Sequence, residues 1–85
     1  MQEEEVGIIT HYFGHLSVAA IKITKKELKV GDLIHIKGHT TDFEQPIDSI
    51  QIEHEMVDKA VNGQSIGIKV KDKVREHDLV YKVTK

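Results

Sequence analysis

The sequence predicts a small all-β domain: a closed or partly open antiparallel β-barrel of six to seven strands. Three observations carry that expectation. The chain holds eleven isoleucines and nine valines against four leucines and three alanines. β-Branched side chains are stiff at χ1 and suit a pleated sheet, whereas Leu and Ala favour helices. Apolar residues alternate with polar ones over short runs, which is the period of a half-buried strand. Gly- and Asp-containing turn signals separate those runs at short intervals and leave no room for crossover helices.

Val6 to Phe13 reads as the first strand and Gly14-His15 as its turn. Leu16 to Thr24 is the second, with Ala19, Ile21 and Ile23 on one face. Val18 has the opposite parity, so a bulge or a two-sided environment is expected near Ala20. Lys25 to Asp32 connects, with Leu28 and Val30 plugging the barrel end and Gly31-Asp32 turning. Leu33 to Gly38 is a third strand, with Ile34 and Ile36 inward and His35 on the solvated face. A polar loop around Phe43 comes next, and Pro46 opens the strand Ile47 to His54, where a missing N–H is tolerated.

Glu55 to Asn62 is the ambiguous stretch. Met56, Val57, Ala60 and Val61 fit helical spacing, and Gly63 suits a position after a helix end. The segment is short, so a turn or one helical turn is expected. Ser65 to Val70 is the cleanest strand, with Ile66, Ile68 and Val70 alternating against Gly67 and Lys69. Asp78 to Thr84 closes the chain, with Leu79, Tyr81 and Val83 alternating against Val80 and Lys82. The expected core is Ile8, Ile21, Ile23, Ile34, Ile36, Ile50, Ile52, Ile66, Ile68, Leu79 and Val83, with Ile9 an equal alternative to Ile8.

The 85 residues suit one domain, and a chain this short buries only about 60–65% of its unfolded surface. A composition of 39% hydrophobic and 31% charged residues is that of a folded globule, not a disordered chain. There is no cysteine, which excludes disulfides, thiol nucleophiles and Cys-based zinc sites. The acidic start Gln2-Glu3-Glu4-Glu5 is unlike a secretory signal, and no apolar run approaches the roughly 18 residues that span a bilayer. A cytoplasmic protein without membrane contact is expected. The net charge of −2 argues against a strong overall pull on nucleic acid.

Leu28-Lys29-Val30-Gly31-Asp32-Leu33-Ile34-His35-Ile36-Lys37-Gly38 resembles a turn-and-strand segment in the second domain of translational GTPases, of which elongation factor Tu is the best-known member. Ile50-Gln51-Ile52 with Gly63-Gln64-Ser65-Ile66-Gly67-Ile68 resembles the next part of that domain, and His77-Asp78 stands where it usually has Gly-Asp. The resemblance runs from Val6 to Val83. A closely similar domain also ends some collagenase-like peptidases, and small stand-alone translation-factor-like proteins of this size look most similar. The resemblance implies a single elongation factor Tu domain 2-like barrel over residues 1–85, with no G domain. No GxxxxGK[ST] loop is present, so this chain alone has no cradle for nucleotide phosphates, and no cofactor is expected.

Few residues suggest chemistry. His11 and His15 are four apart, as are His35 and His39, but on strands that spacing separates residues by about 13 Å. The expectation is surface histidines and no metal. Ser17, Ser49 and Ser65 lack a nucleophile-turn pattern, and Glu53 and Glu55 read as surface charge on one strand face. No catalytic residue is expected. Lys69, Lys71, Lys73 and Arg75 share parity, so an extended segment would align four cations as a candidate RNA-binding stripe. The ordinary reading is a solvated face that protects a sheet edge. The functional expectation is a non-enzymatic module contacting ribosomal RNA, tRNA or the translation machinery. The alternative is a protein–protein interaction module, either an accessory subunit or a homo-oligomer.

Overall fold

The computed structural model describes residues 2–84 and is all-β, with no helix among them. Ten strands run in order: β1 (Gln2–Phe13), β2 (Val18–Ile23), β3 (Glu27–Lys29), β4 (Leu33–Lys37), β5 (Asp42–Pro46), β6 (Ile50–Ile52), β7 (Glu55–Val57), β8 (Lys59–Val61), β9 (Ser65–Lys69) and β10 (Leu79–Thr84). Eight form one sheet in the order β5-β4-β10-β1-β2-β9-β6-β7, and β3 pairs with β8. All pairs are antiparallel. The sheet ends at β5 and β7, so the expected barrel is not closed, and the expected strand count is exceeded.

β1 is the spine, and it carries two bulges. Its register with β10 shifts between Glu5 and Gly7, and its register with β2 shifts between Ile9 and His11. A bulge adds one residue, bends the strand and exchanges the faces of the residues beyond it. Val6 and Ile9 are therefore buried, and Ile8 is only partly so. The irregularity expected near Ala20 falls on the partner strand, at Thr10, whose hydroxyl donates to the Ala20 carbonyl at 3.2 Å. Gly7 sits where a Cβ would overlap the Lys22 carbonyl oxygen, so the close approach of β1 to β2 requires glycine there.

The core is built from Val6, Ile9, Ile21, Ile23, Leu28, Ile34, Ile36, Ile47, Ile50, Ile66, Ile68 and Val80. Burying a side chain of this size contributes roughly 1.5–3 kcal/mol. Two expectations fail here. On β10 the inward residue is Val80, which pairs with Ile36, while Leu79, Tyr81 and Val83 share the outer face with His35 and Lys37. Val83 is nonetheless buried, as expected, at 7% exposed. Val30 does not plug the end; it is 43% exposed, whereas Leu28 is fully buried.

The segment 55–62 forms strands, not a helical turn. Ala60 pairs with Leu28 in the core, and β7 folds back on β6 through Glu53 and His54. Both turn residues have positive φ, 50° and 68°, as a two-residue type I′ hairpin requires. Glu53 and Glu55 thus do not share a strand face.

One turn recurs three times. In Lys29-Val30-Gly31-Asp32, Val61-Asn62-Gly63-Gln64 and Arg75-Glu76-His77-Asp78, the fourth N–H donates to the first carbonyl at 3.0–3.1 Å. The side-chain oxygen of the fourth residue accepts the first residue's N–H at 2.8–2.9 Å. The third residue has φ of +96°, +96° and +77°. A positive φ at that position defines a type II turn and favours glycine. His77 accepts the same conformation without being glycine.

Candidate functional site

The basic stripe is not a continuous strand. β9 ends at Lys69, and residues 70–78 form an irregular connection. Lys69, Lys71, Lys73 and Arg75 are exposed, and Val70 and Val74 between them are buried. Lys71 lies 5.9 Å above the centre of the Phe43 ring. The alternation thus anchors the connection to the core, and the cations are its wet side.

The histidine pairs stay apart in role. His11 Nδ1 meets Glu76 at 3.3 Å and packs edge-on to Phe13. His15 lies in the β1–β2 turn, and His39 in the bend after β4. Among the described residues no serine is hydrogen-bonded to a histidine, so no nucleophile–base pair forms.

Two surface features have the geometry of sites. The first is an apolar groove on the outer face of β2, β9 and β6. It has a volume of about 390 Å³ and is lined by Phe13, Leu16, Val18, Ala20, Ile66 and Gly67, with Gln51, Glu53, His54 and Ser65 at its polar side. Strand alternation explains the floor: Ala19 and Ile21 point inward, so Val18 and Ala20 point out. Gly67 keeps the floor low, because a Cβ there would stand 3.4 Å from Val18 Cγ1. Leu16 is 65% exposed and Phe13 is 44% exposed, both at the rim. The edge strand β7, with its exposed Met56, flanks β6 beyond the groove.

The second is a histidine held among carboxylates on the outer face of β1, β10, β4 and β5. His35 stands opposite Tyr81 on one side and Glu44 on the other. Its Nδ1 meets Glu3 Oε1 at 2.9 Å, and its Nε2 meets Asp42 Oδ1 at 2.5 Å. The side chain is only 14% exposed. The hydrogen bonds to Asp42 and then Glu3 raise the His35 pKa, partly offset by burial, and the His35 bond lowers that of Asp42. Both ring nitrogens face carboxylate oxygens, an arrangement that an imidazolium, with two N–H donors, satisfies in full. Sequence reasoning placed His35 on this face but missed the cluster, because Glu3 is 32 residues away.

The chain is similar over 85 residues, 99% of its length, to a collagenase of Porphyromonas gingivalis, at 42% identity. It is 40% identical over 78 residues to an uncharacterized protease of Methanocaldococcus jannaschii. It spans only 24% and 19% of those two relatives. No protein-family model matches it. The fold is that of the C-terminal domain of a Geobacillus thermoleovorans protein assigned to the U32 peptidases. Its crystal structure superposes with a TM-score of 0.88 at 23% identity, covering 95% of this chain and 93% of that one.

These findings correct the expected identity. The relatives that the chain matches are named a collagenase and an uncharacterized protease, and a fold neighbour is the C-terminal domain of a protein assigned to the U32 peptidases, not a translation factor. The expectation of a non-enzymatic, translation-related module that binds RNA falls with it. The physical reason is that the glycine and Asp turn motifs specify backbone geometry, which unrelated activities can share. No described helix is long and apolar enough to cross a membrane.

Proposed function

We propose that the chain is the C-terminal β-domain of a collagenase-like peptidase of the U32 type, and that it holds extended polypeptide substrate in the Phe13–Leu16 groove. The observation that carries this reading is the whole-chain match, at 42% identity, to a quarter of a collagenase. The groove supports it. Sites for peptides are concave and mostly apolar, with a few polar groups that fix orientation. Here Gln51, His54 and Ser65 provide such groups beside an apolar floor. The unpaired edge of β7 offers backbone donors and acceptors near the groove, the means by which sheets add an extended peptide.

The test is fluorescence anisotropy with labelled gelatin-derived peptides and the purified chain. Saturable binding is expected. Leu16→Asp, which puts a charge on the rim, and Gly67→Val, which fills the floor, should each weaken it at least tenfold. In a full-length collagenase-like peptidase the same changes should raise KM for gelatin and leave kcat nearly unchanged, the signature of lost uniform binding. Absence of saturable binding by the unaltered chain, or full binding by Gly67→Val, would sink the proposed role.

A further inference from the structure

We propose that His35, Glu3 and Glu44 form a binding site for a divalent first-row metal ion, with Asp42 as the carboxylate that orients the imidazole. One ligand atom from each of His35, Glu3 and Glu44 lies within 4.8 Å of the others. Bond lengths of about 2.0–2.2 Å to nitrogen and oxygen put the ligands of one ion at most about 4.4 Å apart, so a small side-chain adjustment brings all three atoms onto one ion. The three come from β4, β1 and β5, and the ladder of β1, β10, β4 and β5 fixes them on one face. They need not be brought together by a loop movement.

The imidazole is set for this role. Asp42 holds Nε2, and Nδ1 points at Glu3. A metal-binding histidine almost always donates its other ring N–H to a carboxylate or carbonyl, which fixes the tautomer and the ring plane. In its protonated form the imidazole donates Nδ1–H to Glu3. A metal ion takes the place of that proton, so binding releases it to solvent. With three protein ligands, a four-coordinate ion keeps one position for water and a six-coordinate ion keeps three. One imidazole and two carboxylates suit Zn²⁺ and, with lower affinity, Mn²⁺. Nothing in this site overlaps the groove, so the proposal stands or falls independently of the peptidase reading.

The test is calorimetric titration of the untagged chain with ZnCl₂ in two buffers of different protonation enthalpy. Nitrogen-15 spectra of the histidine rings then locate the ion. One saturable Zn²⁺ per chain is expected, with proton release and a shift of the His35 Nδ1 resonance. Asp42→Asn should weaken binding about 10–100-fold. Glu44→Gln should weaken it at least tenfold, and His11→Ala, which alters the other histidine–carboxylate pair, should leave it unchanged. Circular dichroism of each variant separates loss of the site from loss of the fold. Three results would each overturn the proposal: no saturable binding to the folded chain, a shift confined to another histidine, or unchanged affinity in folded Glu44→Gln.

Discussion

The side-chain amide of Gln45 stands opposite Lys69 as a peptide group of a neighbouring strand would. Its Nε2 donates to the Lys69 carbonyl at 2.8 Å, and its Oε1 accepts the Lys71 N–H at 2.8 Å. Gln45 lies on the edge strand β5 and is 7% exposed. One side chain thus joins the β5 edge to the end of β9 and bridges a gap that backbone pairing leaves open. It substitutes for part of a closed barrel.

Gln45→Ala should therefore destabilise the domain by about 1–3 kcal/mol, the cost of leaving a buried donor and acceptor unpaired. Urea unfolding measures it. Gln45→Glu should also destabilise, because a carboxylate can accept from Lys71 but cannot donate to Lys69. A stability of Gln45→Glu equal to that of the unaltered chain would show that the Lys69 bond contributes nothing.

Gly38→Ala, at a half-buried position just after β4, should be strongly destabilising. A Cβ at residue 38 would overlap the Asp78 carboxylate. Asp78 is 5% exposed and accepts the Arg75 N–H at 2.9 Å, so it cannot move without opening the third type II turn. Overpacking of this kind typically costs about 1–3 kcal/mol. Thermal unfolding should show a drop of several degrees, and Gly31→Ala, which meets no neighbouring atom, should suffer only from its φ of +96°.

His77→Gly should stabilise. The left-handed backbone costs a non-glycine residue about 1–2 kcal/mol. Glycine adds unfolded-state entropy worth about 0.5–1 kcal/mol in the other direction. The net expectation is a gain of about 0–1.5 kcal/mol, or up to several degrees in Tm. A fall in Tm would mean that the imidazole makes a favourable interaction in the turn.

The His35 cluster gives a pH dependence of stability in metal-free buffer. The folded pKa of His35 is raised above its ordinary 6.5, chiefly by Asp42 and Glu3. The resulting stabilisation is fully present below about pH 6.5 and is lost as pH rises through the folded pKa. Asp42 is lowered from 3.8 by the same bond, so its part is present above that value and fades as pH falls through the lower folded pKa. Stability from this pair should be greatest between about pH 4 and 6.5. His35→Gln should flatten the alkaline side of the profile; an unchanged slope there would assign the pH dependence to other groups.

Much of the fold was legible along the chain. Alternation located β2, β4 and β9, because each buries one face and leaves the other more open, and it located β10 although Val80 and Val83, of opposite parity, are both buried there. The Gly31-Asp32 turn was legible, since a glycine and a short acid there have local roles, whereas Gly63 read as the position after a helix end and turns out to serve the same kind of turn. Segment 55–62 was misread because its apolar spacing fits one helical turn as well as two short strands. Pairing of Ala60 with Leu28, a distant partner, decided between them. The inward choice of Val80 over Leu79 was also not legible, because a bulge at Val6 belongs to a strand pair and not to either strand.

Composition and alternation by themselves determined that this chain is all-β, antiparallel and centred on Ile21, Ile23, Ile34, Ile36, Ile50, Ile66 and Ile68. Those are local properties: side-chain stiffness and a period of two. Only the tertiary structure decided that the sheet stays open at β5 and β7, that Gln45 bridges the gap, that Phe13 and Leu16 rim a groove floored by Gly67, and that Glu3 reaches His35 across β10. Each of these depends on which strands become neighbours. That choice is made by burial of the whole core at once, and no short stretch of sequence records it.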